Sequence, residues 1–317
     1  MVMFCLFGAG CGKTDGNTKT TAEQQKESDK LKIVTTIFAP YDFARQITKG
    51  EAEITMLLPS GSETHTFEPT PQDIITIQNC DVFIYVGGES DSWIEDVLKD
   101  IDTSKITILP LMEEVDLLEE EIVEGMEEEE HHESDHEQEE EAEYDEHIWT
   151  SPQNAIKIVK KMQQTFMELD VEKKNNYEKN GNAYIKELEQ LHSKFQDVVE
   201  HAKRKTMIFG DRFPLRYFTE EYGLDYYAAF PGCAEDTEPS ASTIAFLIDK
   251  VREENIPVVF YLELSNEQMA DTICESTQAK KALFHSCHNI SKEDFENGVT
   301  YLELMEKNVD VLKEALN

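Results

Sequence analysis

Positive charge is scarce in this chain: 29 Lys and Arg stand against 66 Asp and Glu, a formal net charge of -37. Phosphate backbones and anionic lipid surfaces repel such a chain, which excludes nucleic acid and electrostatic membrane binding and leaves metal cations as natural partners. Long apolar runs are lacking too. Beyond the first residues no stretch is long enough to span a bilayer. Of six cysteines, Cys80, Cys233, Cys274 and Cys287 lie beyond the N-terminal segment. In an exported protein these suffice for one disulfide, with Cys233, Cys274 and Cys287 the candidates and no pairing set by the sequence. A helical HExxH is absent as well, so an extracellular zinc hydrolase is the weaker reading and the chain is taken not to be an enzyme.

Acid is abundant instead. From Glu113 to His147, twenty acidic residues and four histidines share a segment with no Lys or Arg. Charge at this density repels itself and buries little apolar surface, so 113–146 is predicted to be mostly a solvated, disordered loop. A plain acidic linker needs no histidine. Imidazoles among carboxylates form a loose trap for divalent transition metals, zinc above all, and His131, His132 and His136 are read as mobile, accessory ligands. His147 differs: it adjoins apolar Ile148 and Trp149, which should pin it to the folded chain as a fixed ligand.

The N-terminus, MVMFCLFGAGCGKTDGNTKTTAEQQKESDKLK, is an apolar run that ends at Cys11 and gives way to a polar spacer. Although Gly8 stands where Leu is usual, residues 1–30 are read as a lipoprotein signal and tether, with Cys11 lipidated and the rest soluble outside the cytoplasm. From Lys32, brief β-branched runs closed by Gly, Pro or Ser alternate with helices, predicting an α/β lobe over 31–170 with a mostly parallel sheet. A helical run at 171–202 is long enough to join two lobes, and alternation resumes over 203–317 as a second α/β lobe. Functional loops belong at the carboxyl ends of such strands. His65 occupies one, in LLPSGSETHTFEPTPQD. Asp211 lies in another, IFGDRFPLRYF, either as a carboxylate ligand or as the partner of Arg212 or cap of the next helix. Glu263 ends PVVFYLE, and KKALFHSCHNI offers His285 and His288 around Cys287; His288 is preferred because it lies farther beyond the apolar strand. His192 and His201 are expected to be solvated polar residues.

Together IVTTIFAPYDFARQI, LLPSGSETHTFEPTPQD, NCDVFIYVGG, HIWTSPQNA and PGCAEDTEPSASTIAFLIDKV, with the acidic His-rich loop, resemble the zinc and manganese solute-binding lipoproteins of bacterial ABC transporters, the zinc-uptake branch in particular. The resemblance covers nearly everything from Lys32 onward. It implies two α/β lobes joined by one rigid helix, a metal in the cleft between them, and ligand roles for His65 and His147. It further implies an ABC transporter permease as partner, zinc as cargo with manganese or iron as the alternative, and a lipid-anchored monomer outside the cytoplasm. A surface metal-binding adhesin shares the fold and differs in partner. The family's usual third histidine, in the loop after the first strand of the second lobe, is missing: Gly210, Asp211 and Arg212 stand there. Its usual late carboxylate is replaced by the HSCH stretch, from which His288 could compensate. Glu263 matches a family Glu that coordinates directly or, as preferred here, orients a ligand.

Overall fold

Strand and helix alternate from Lys32 onward in the computed structural model, which describes residues 30–62, 67–126, 143–232, 234 and 239–317. Strands β1 (Lys32–Thr35), β2 (Glu53–Met56), β3 (Val82–Tyr85) and β4 (Thr107–Pro110) form one parallel sheet in the order β2-β1-β3-β4. β4, with the helix Trp93–Asp100 before it, was not anticipated: four residues ending in Pro110 leave little pattern to read. In the second half β5 (Thr206–Ile208) pairs in parallel with β7 (Asp225–Tyr227), and β9 (Val258–Tyr261) with β10 (Lys280–Leu283). A bridge from Phe209 to Phe260 joins the two pairs. Two short strands, β6 (Arg212–Phe213) and β8 (Phe230–Pro231), pair beside them.

Both sheets are buried on two faces, and alternate side chains go to different cores. Ile33, Val82 and Ile84 enter the main core while Val34 and Phe83 face an outer cluster with Ile77 and Ile94. Met207, Phe209, Val258 and Phe260 enter that same main core, while Ile208 and Val259 face a second outer cluster with Leu247 and Ile273. One continuous apolar core therefore runs beneath both sheets.

The helix Lys174–Glu200 lies within the stretch expected to be helical and is packed, not free-standing: Tyr177, Tyr184, Leu188, Leu191 and Phe195 are buried along it. It runs against the helices Phe38–Thr48, Pro152–Leu169 and Tyr301–Leu316, touching elements of both halves. Helix starts follow local chemistry. Thr70 and Asp73 form a capping box with Pro71 in the first turn, and Ser151, Ser240 and Ser291 each accept a backbone N–H at a helix start. Among the described residues no helix is long and apolar enough to cross a membrane.

A Cys274–Cys287 disulfide, one of the pairings that the sequence left open, is not formed. Cys274 and Cys287 are free thiols, as is Cys80. Cys287 belongs to the main core and Cys274 packs on the second outer cluster, so the sheet itself separates them. Cys11 and Cys233 lie outside the described residues.

Candidate metal centre

Three stretches from distant parts of the chain meet where the two sheets end: 59–62, 145–151 and 285–290. The second is fixed first. His147 is fully buried, and Ile148 and Trp149 beside it are buried with it, so the apolar pair anchors the histidine as their composition suggested. Asp145 Oδ1 accepts the backbone N–H of His147 at 2.8 Å and lies 3.2 Å from its Nδ1. A carboxylate at Nδ1 favours the tautomer with the proton there, which leaves the lone pair on Nε2 for a metal. Burial pulls the imidazole's pKa down, but Asp145, with Glu146 and Glu120, outweighs that and holds it above the ordinary histidine value.

His288 comes from the loop after β10. Glu263 accepts from Ser286 twice, from its N–H at 2.8 Å and its hydroxyl at 2.7 Å. The Ser286 hydroxyl also accepts the N–H of His288 at 3.2 Å. The loop then crosses to the first half: Phe38 donates its N–H to the His288 carbonyl at 3.2 Å, and Asn289 Nδ2 donates to the carbonyls of Pro59 and Ser62 at 3.0 and 2.7 Å. Cys287 has φ of 59°, so the chain turns out of strand geometry between the two histidines.

A small cleft is lined by His147, His288, Asp211 and Glu263 together with Arg212, Ser62 and Asn289. The two imidazole centroids are 5.1 Å apart at an interplanar angle of 88°. Two imidazoles on one tetrahedral zinc, each nitrogen at ~2.0–2.1 Å, have ring centres about 5 Å apart. The observed ring separation matches that spacing. Among the described residues no group of three or more His, Cys, Asp or Glu is gathered tightly enough to hold a metal. His65 lies outside the described residues, three positions beyond cleft-lining Ser62; His131, His132 and His136 lie outside them too.

The remaining candidates separate. Asp211 lines the cleft, with Oδ1 accepting from Arg212 N at 2.9 Å and Oδ2 from Leu262 N at 3.1 Å. Its carboxylate thus ties the loop after β5 to the end of β9, and each oxygen keeps a further lone pair. Its bond is to the Arg212 backbone and it caps no helix. At Gly210 a Cβ would meet Ala270 Cα and N at 2.8 Å, so no histidine fits there in this packing. Glu263 is engaged by Ser286 at both oxygens, and burial raises its pKa against those hydrogen bonds. His285 is not among the residues lining the cleft: its backbone is clamped by Asn308, which accepts its N–H and donates to its carbonyl, both at 2.8 Å. Burial, with Lys307 nearby, pushes its pKa down to about 4 against Asp294, so it is a neutral, enclosed imidazole. His192, expected to be solvated, is half-buried with Nδ1 2.6 Å from Glu221, whereas His201 is exposed.

Asp145, Ser286 and Asn289 were given no role from sequence, and Trp149 was read only as an anchor for His147. The signal was present only as adjacency, within two residues of His147 or of His288.

The sequence model of the family described as zinc-uptake complex component A, periplasmic, matches residues 33–315. The chain is 34% identical over 311 residues to the high-affinity zinc uptake system protein ZnuA of Bacillus subtilis, covering 98% of this chain and 94% of that one. It is 30% identical over 292 residues to the zinc-binding lipoprotein AdcA of Streptococcus pneumoniae, covering 92% of this chain and 57% of that longer protein. Among solved structures, the Zn(II)-bound ZnuA-like domain of that AdcA matches with a TM-score of 0.74 and 28% identity, over 90% of this chain and 99% of that one.

Proposed function

This chain belongs to the family of zinc-uptake complex component A, and from that premise we propose that it captures zinc outside the cytoplasm and delivers it to an ABC transporter permease. The observation that carries the proposal is the meeting of two buried imidazoles from opposite halves, 5.1 Å apart at 88°, in a cleft that a carboxylate also lines. His147 and His288 are the ligands in this reading, with His65 as the third and cleft-lining Asp211 as the carboxylate that completes four-coordination. Glu263 positions the His288 loop through Ser286, and His285 stands apart. Nitrogen-dominated ligation favours zinc over manganese or iron. Zinc is cargo here, so the protein needs no open catalytic position.

Release follows from the same residues. Protons compete with zinc for both imidazoles, and Asp145 raises the pKa of His147, so acidification weakens binding from a higher pH than an ordinary histidine would allow. Residues 1–30 act as leader and tether with Cys11 as lipid anchor, the protein working as a monomer. The acidic segment, with His131, His132 and His136, raises the local metal concentration. The test is zinc content and competitive affinity of the purified protein and of His65→Ala, His147→Ala and His288→Ala. Each variant should lose at least about tenfold in affinity, and full-affinity binding in all three would overturn the site.

A further inference from the structure

Trp149 touches both imidazoles. Its ring centroid is 4.8 Å from that of His288 and 5.4 Å from that of His147, so the three rings close a triangle whose third side is the 5.1 Å between the histidines. The indole is buried, and its Nε1–H donates to the Ser286 carbonyl at 2.8 Å, two residues before His288. Its own carbonyl accepts the Tyr301 hydroxyl at 2.8 Å, and Thr150 Oγ1 donates to the His147 carbonyl at 2.7 Å. The short 3-10 turn Ile148–Thr150 is therefore held from both sides. A rigid ring with two torsions, fixed at backbone and at side chain, sets distances in a way that a flexible aliphatic residue does not.

We propose that Trp149 is a positioning residue for the metal: it braces His288 against His147 and sets the angle between the two imidazoles, so that the cleft is shaped for a tetrahedral ion before one arrives. The proposal rests on His147 and His288 being ligands. It goes further in assigning metal discrimination to a residue that touches no metal. Nickel and copper prefer tetragonal or square-planar arrangements, so a brace that holds the imidazole centres 5.1 Å apart, the spacing of a tetrahedral pair, penalises them relative to zinc. A tryptophan that only filled the core would affect stability and leave discrimination alone.

The test is Trp149→Phe, which keeps an aromatic ring but removes the N–H to Ser286. Zinc affinity should fall 10- to 50-fold while nickel affinity falls less, so that the zinc-to-nickel ratio shrinks. The cobalt(II)-loaded protein should lose part of the intense visible absorption of a tetrahedral ion. Lower thermal stability with an unchanged ratio and cobalt spectrum would leave a core tryptophan and overturn the proposal. Should Trp149→Phe fail to fold, Tyr301→Phe decides, because it leaves the indole in place and removes the bond to its carbonyl. A weakening of about threefold with a reduced zinc-to-nickel ratio supports the brace, and wild-type values refute it. His147→Ala and His288→Ala measured alongside separate the failures. If they retain zinc the ligand assignment falls; if they lose it while Trp149→Phe is unchanged in ratio and spectrum, only the brace falls.

Discussion

Removing the Asp145 carboxylate should weaken zinc binding in two separable ways. Its Oδ1 takes the His147 backbone N–H at 2.8 Å and faces Nδ1 at 3.2 Å. Asp145→Ala removes both, freeing the ring to rotate and making it a poorer donor. Loss of a carboxylate behind a metal-bound imidazole costs about 10- to 100-fold in affinity, or ~1.4–2.7 kcal/mol. Asp145→Asn divides that loss: the amide oxygen still accepts both N–H groups, while the negative charge that raises the His147 pKa is gone. With that charge removed, the pKa falls. The pH midpoint for zinc loss should then shift downward, even as affinity near neutrality drops by less than in the alanine variant. Competition against a chromophoric chelator from about pH 5 to 8 measures both quantities. Unchanged affinity in Asp145→Ala, or an upward midpoint in Asp145→Asn, would refute the reasoning.

Three further outcomes follow from the structure. His285→Ala should alter zinc affinity less than about twofold, since the ring lies outside the cleft, and a tenfold loss in the same competition assay would return His285 to the ligand set. Asp91 is buried, accepts from Val86 and Gly87 N–H through Oδ2, and is pushed up from 3.8 to about 7, chiefly by burial. The folded state therefore holds a proton that the unfolded state has lost, so its contribution to stability falls as pH rises from about 4 and is lost above about 7. Relative to wild type, Asp91→Asn should gain stability at pH 8 over pH 5, by at most about 2.6 kcal/mol, read by denaturant melts; a difference that does not change with pH would contradict this. Finally, replacing residues 127–142 by a short Gly/Ser linker should keep one tight zinc site and remove weaker ones in a calorimetric titration. The cut has to spare the flanks, because Glu120 N–H bonds Glu143 O at 2.9 Å, Asp145 N–H bonds Leu118 O at 3.0 Å, and Tyr217 joins both strands of that ribbon.

Brief β-branched runs alternating with helices made most of both sheets readable, β4, β6 and β8 excepted, and the apolar neighbours of His147 made its burial readable. What stayed hidden depends on where short turns point. Asp145 and Glu146 are adjacent carboxylates with opposite fates: one turns to His147, the other to Ser90 N at 3.1 Å. Glu146 fits there because Gly88 has φ of 83° and no side chain, where a Cβ would meet the Glu146 carboxylate at 2.7 Å. No spacing rule reveals that choice. His285 and His288 were separable only by distance from the strand, yet the deciding feature is the left-handed turn at Cys287, which ends the strand's two-residue parity. The absence of a third histidine was visible as a glycine at 210; its cause, the helix Gln268–Ser276 pressed against that backbone, was not.

These contacts also decide how the cleft can take up an ion. Phe38 to His288, Asn289 to Pro59 and Ser62, Gly61 to Ile290, and Trp149 to Ser286 all cross between the halves, above a core that runs unbroken beneath both sheets. Hinged opening would break these bonds, at ~0.5–1.5 kcal/mol each, and would expose that core. Capture by local rearrangement avoids both costs. On the first half, Ser62 is pinned by Asn289 and Thr70 is held in its capping box. On the proposed ligand assignment, the two histidines therefore meet across an interface that is already closed, and the ion is taken up without the halves swinging apart.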